Sequence, residues 1–89
     1  MTPAARLQAA VDILETLATT GQPLDRLLRD WFRARRYAGS KDRAAIAARV
    51  FTIHRHRASF AWRMNCETPR ALAIASLLAD GEGGLLFLR

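Results

Sequence analysis

Leu7, Ala10, Val11, Leu14, Leu17 and Ala18 recur at steps of three and four residues, a spacing that gathers them into one stripe on an α-helix. Thr2-Pro3 marks the start, because a hydroxyl can cap free backbone N–H groups and proline tolerates the first helical position; Gly21 marks the end. A second helix is predicted from near Gln22-Pro23, with Leu24, Leu27, Leu28, Trp31 and Phe32 on one face. Tyr37-Ala38-Gly39-Ser40 interrupts the periodicity and offers Ser40 as the next cap. The third helix is expected to run from about Lys41 to Arg63. On a helical wheel one broad half holds Ile46, Val50, Phe51, Ile53, His54 and Trp62, and the other holds Lys41, Arg49, Thr52, His56, Ser59 and Arg63. Asn65-Cys66-Glu67 links it to Thr68-Pro69, a second cap-then-proline signal. The fourth helix carries Leu72, Ile74, Ala75, Leu77, Leu78 and Ala79 and is expected to stop at Asp80-Gly81. Gly83 and Gly84 then lead into the apolar tail Leu85-Leu86-Phe87-Leu88 before Arg89.

These elements predict an all-α fold, a small bundle of about four helices forming one domain over residues 1–89. The apolar tail has the look of a C-terminal truncation, since free termini are normally polar. With 89 residues the core is small, burying about 60–65% of the unfolded surface. A single cysteine, Cys66, excludes an internal disulfide and a cysteine-rich zinc site. Neither a secretory leader nor a run of about 18 apolar residues is present, so no membrane is expected as a partner and the cytoplasm is the expected compartment.

Charge changes the picture more than composition does. Nine of the fourteen Lys and Arg residues fall between Arg33 and Arg63, where Asp42 is the one acid, leaving that stretch at +8 and the remainder at −2, for a net +6. So local a surplus, with aromatic residues in and beside it, suits a polyanion, because each cation that meets a phosphate releases a condensed counterion. Thirteen of the fourteen cations are Arg, whose planar fork can grip phosphate bidentately and stack on bases. The expected RNA-binding residues are Arg35, Arg36, Tyr37, Lys41, Arg49, Arg55, His56 and Arg63. Tyr37 enters as the stacking candidate, while Trp31, Phe32 and Trp62 lie on apolar faces and are expected in the core.

Other constellations have structural readings. Asp42 suits a helix start through the helix dipole, and Arg43 is expected to pair with Asp12 or Asp30. His54 is expected as a packed, hydrogen-bonded histidine, and no second ligand stands at metal-binding spacing. Arg57 is open between an internal pair and an outward role. Cys66 is expected to be a bystander thiol. No nucleophile, base and oxyanion donor occur together, so catalysis by this chain alone is not expected, and no metal or cofactor is assigned to it.

The opening Thr2-Pro3-Ala4-Ala5-Arg6, the Leu24 to Phe32 helix, and above all Tyr37-Ala38-Gly39-Ser40-Lys41-Asp42-Arg43 running on to Val50-Phe51 and Arg55-His56-Arg57 resemble a known family. It is the N-terminal NusB-like domain of the Sun/Fmu-type ribosomal RNA cytosine-5 methyltransferases, in a form similar to alphaproteobacterial members. Thr52 stands where the commoner family pattern has glycine, and Arg49 and His54 where it has leucine. The resemblance implies an RNA-binding, non-catalytic helical module with ribosomal RNA and its own C-terminal methyltransferase domain as partners. S-adenosylmethionine is expected only in that second domain, which this sequence lacks. The alternative is a protein-interaction module with a merely solvated basic face, and self-association through the apolar tail is a further expectation. A helix-turn-helix DNA reader ranks lower, since the third helix carries little Asn or Gln for base edges.

Overall fold

A computed structural model describes residues 1–87, with side chains for residues 1–79. Five helices are present among the described residues: α1 (Pro3–Thr20), α2 (Leu24–Ala34), α3 (Ser40–Arg55), α4 (Arg57–Met64) and α5 (Pro69–Phe87). They form an all-α bundle in which α1 lies against α3, and α5 packs on α1, α3 and α4.

Local chemistry sets most of the boundaries. The Thr2 hydroxyl accepts from the Ala5 N–H at 3.0 Å with Pro3 in the first turn, and the Thr68 hydroxyl accepts from the Ala71 N–H at 3.2 Å ahead of α5. Gly21 takes φ 67° and its N–H donates to the Leu17 carbonyl, a left-handed stop that a Cβ would strain. The core is centred on the fully buried Ile13, Ile46, Val50 and Ile53, joined by Leu27, Leu28 and Trp31 of α2 and by Leu72 and Ala75 of α5.

Five expectations are corrected. The helix predicted from Lys41 to Arg63 is two helices, broken at His56, whose φ −104° and ψ 21° leave the helical region. His56 ends one helix and caps the next, its N–H donating to the Thr52 carbonyl and its own carbonyl accepting from the Phe60 N–H at 2.9 Å. The change of direction buries Phe60 and lays α4 along α5. Trp62 is therefore not core: helical phase restarts after the break, and the indole is 87% exposed. Within α3 the buried arc is narrower than the wheel suggested and centred on Ile46, Val50 and Ile53, so Phe51 and His54 are exposed while Arg49 is half-buried at the arc's edge. Gly39, in extended conformation, rather than Ser40, precedes α3, its carbonyl accepting from the Arg43 N–H.

The last helix does not stop at Asp80-Gly81 but runs to Phe87. Glycine inside a helix costs about 1 kcal/mol without blocking it, and Leu85 and Leu86 are strong helix formers. Of the apolar tail, Leu88 lies outside the described residues, as does Arg89.

Candidate nucleic-acid interface

Arg29, Arg33 and Arg36 follow one another at steps of four and three, which places them on one side of α2 and of the turn that ends it. Arg43 reaches the same place from the first turns of α3, and the four arginines surround Phe32 in an open cleft whose lining, among the described residues, contains no carboxylate. The chain turns here because Arg35 leaves the helical region, its N–H donating to the Phe32 carbonyl, and because Ala38 is buried beneath the turn.

The four guanidinium groups differ in how far they are committed. Arg43 donates through Nε to the Ala38 carbonyl at 3.0 Å, which fixes the group while leaving its outer donors for a ligand. This replaces the expected pair with Asp12 or Asp30: Asp12 instead accepts from the Gln8 amide at 3.0 Å, and Asp30 lies 3.8 Å from Arg33. That last contact is between exposed groups, so it holds Arg33 weakly. Arg29 and Arg36 are exposed and have no hydrogen bond or ion pair among the described residues. Phosphate offers each of them the acceptors that the fold does not.

The expected binding residues are distributed unevenly around this cleft. Arg36 lines it, while Tyr37 stands in the adjoining turn at 75% exposure and Lys41 is exposed in the first turn of α3. Arg35 is turned inward, its guanidinium 4.1 Å from the centre of the Trp31 ring and its Nη1 donating to the Trp31 carbonyl at 3.4 Å. Arg49 likewise faces the bundle, donating to the carbonyl and the hydroxyl of the buried Ser76, both at 3.4 Å. Arg55, His56 and Arg63 are exposed but do not line the cleft; the His56 ring stacks obliquely on Phe60 at 5.7 Å. Sequence reasoning left Arg29, Arg33 and Arg43 out of the binding set. The 29, 33, 36 spacing was the available signal for two of them, and only the fold brings Arg43 alongside.

Asp42 is directed away from the arginines by a stronger partner. Arg6 of α1 donates through Nε at 2.9 Å to one carboxylate oxygen, its Nη2 forms an ion pair with the same oxygen at 2.8 Å, and the Met1 amino group lies 3.4 Å from the other. The Arg6 hydrogen bond, with the nearby amino group, holds the Asp42 carboxyl below its ordinary range. This clamp ties the start of α1 to the start of α3, so the acid closest in sequence to the basic turn serves the fold. No group of three or more metal-ligating side chains occurs among the described residues, and no helix there is long and apolar enough to cross a membrane. No family model, curated protein or solved structure matches the chain.

Proposed function

We propose that this bundle is an RNA-binding accessory domain of a cytoplasmic ribosomal RNA cytosine-5 methyltransferase, gripping the phosphate backbone at the turn between α2 and α3. The observation that carries the reading is the cleft formed by Arg29, Arg33, Arg36 and Arg43, which among the described residues has no carboxylate in its lining and leaves two of the arginines without a partner. Tyr37 stands beside it as a stacking surface, and the combination of cations with one exposed ring suits RNA that presents unpaired bases. Contacts of this kind position a strand rather than read its sequence. The family assignment rests on the motif around Tyr37 to Arg43 and its continuation to Arg57.

In this reading the chain performs no chemistry itself. It holds RNA so that a target cytosine meets a separate catalytic domain, and S-adenosylmethionine belongs to that domain. The glycines Gly81, Gly83 and Gly84 lie within the span of α5, not in a turn after a strand, and do not fit a nucleotide-cofactor loop.

The test is the salt dependence of binding to a structured ribosomal RNA fragment. With four to six phosphates contacted, log affinity against log salt should fall with a slope of about −3 to −5. A slope near zero would remove the reading.

The protein-docking alternative has its own observation. Ile74, Leu77 and Leu78 leave an apolar stripe exposed on the outer side of α5. Contiguous apolar surface of this kind marks contact with another domain or another copy of the chain.

A further inference from the structure

Five aliphatic side chains from four helices meet at a second place: Leu14 and Leu17 of α1, Leu24 of α2, Ile53 of α3 and Leu72 of α5. They line a cleft of about 710 Å³, within the range that takes the side chains of a bound ligand. Its polar lining includes His54, Arg57 and Glu67. His54 and Arg57 stand on either side of the break at His56; both are exposed, and neither has a hydrogen bond or ion pair among the described residues.

We propose that this cleft docks an amphipathic, acidic segment of a partner protein, seating aliphatic side chains against the partly exposed Leu17 and Leu24 and pairing a carboxylate with Arg57. Charge complementarity identifies the occupant. Arg57 is a cation at the edge of an apolar surface with no partner among the described residues, and the net +6 of the chain draws an acidic partner toward it. RNA is the poorer fit. Among the described residues the His54 imidazole is the one ring in the lining and Glu67 places a carboxylate beside it, whereas the lining of the arginine cleft has Phe32 and no carboxylate. The Glu67 carboxylate also gives the site polarity, repelling a second acid near its own position. His54 adds a ring nitrogen as hydrogen-bond partner for the occupant. The inference is independent of the arginine cleft, because the two clefts share no residue.

The probe is a synthetic amphipathic helix with a leucine face flanked by glutamates, compared with its lysine-flanked counterpart and titrated into isotope-labelled full chain. The glutamate peptide should bind more tightly and shift amide resonances near Leu17 to Leu24, Ile53 to Arg57 and Glu67 to Leu72. Arg57→Glu should weaken the glutamate peptide by about tenfold and favour the lysine one, the effect expected of reversing one charge-assisted pair. Glu67→Lys should tighten the glutamate peptide, which keeps the test open should Arg57→Glu fold poorly. Arg36→Glu should weaken RNA binding and leave the peptide unaffected, separating failure of this site from failure of the RNA site. No binding, equal affinity for the two peptides, or displacement of the peptide by a single-stranded RNA would overturn the proposal.

Discussion

Arg35 and Arg36 are neighbours in sequence with opposite employment. One stacks on Trp31 and bonds its carbonyl; the other has no partner among the described residues. Arg36→Ala should therefore weaken RNA binding while changing stability by less than about 0.5 kcal/mol. Arg35→Ala should instead lower stability by about 0.5–2 kcal/mol, the range for a cation over a ring between exposed and desolvated sites. Thermal melts and RNA titrations on the two variants check the division, and equal effects on both measurements would contradict it. Asp42 gives a pH signature. Because its folded-state pKa lies below the ordinary 3.8, its contribution to stability is present above that value and is lost as pH falls through the folded value. Asp42→Asn should remove that acid-dependent part of the stability curve, while the wild-type melting temperature falls in the same window; a parallel decline in both proteins would show that other carboxylates dominate.

The break at His56 is what sets the faces of α3 and α4. Ile53 is fully buried and Phe51 is 39% exposed, although both are large apolar residues two positions apart. Ile53→Ala should cost about 2–5 kcal/mol through lost burial and a cavity, and Phe51→Ala about 1 kcal/mol or less. Chemical denaturation of the two variants measures the difference, and similar costs would refute the buried arc centred on Ile46, Val50 and Ile53. The restarted phase of α4 has its own readout. Of the two tryptophans, Trp31 is buried and Trp62 is exposed, so acrylamide should quench mainly the Trp62 emission. Trp62→Phe should leave a weakly quenched, blue-shifted protein. Strong quenching of what remains would place Trp31 at the surface.

At the scale of the whole molecule, one exposed helix surface is apolar and carries no charge of its own. The segment Ala71 to Ala79 contains no charged residue, and its outer side exposes Ile74, Leu77 and Leu78. A chain with net charge +6 meets another copy with least repulsion at such an uncharged face. Light scattering should show association that rises with concentration and that Ile74→Lys with Leu78→Glu abolishes, while RNA binding at the arginine cleft is retained. Persistent association of the double variant would exclude this face as the contact. A shared loss of RNA binding would instead mean that binding requires the associated form.

Short-range chemistry was legible along the chain. Thr2-Pro3 and Thr68-Pro69 start helices, Gly21 ends one, and the spacing of Leu24, Leu27, Leu28 and Trp31 places one side of α2 inward, because each effect acts within a helical turn. The basic character of the stretch from Arg33 to Arg63 was equally plain, since charge is a property of composition. Neither glycine nor proline marks His56, and the break there is decided by the packing of Phe60 and α4 against α5. That break, and the narrow buried arc of α3, moved Trp62, Phe51 and His54 outward and Arg49 inward. The assignment of individual arginines also belonged to the tertiary structure. A guanidinium finds whichever ring or carbonyl the fold brings within reach, so Trp31 took Arg35, Ser76 took Arg49, and the turn between α2 and α3 set Arg43 beside Arg29, Arg33 and Arg36.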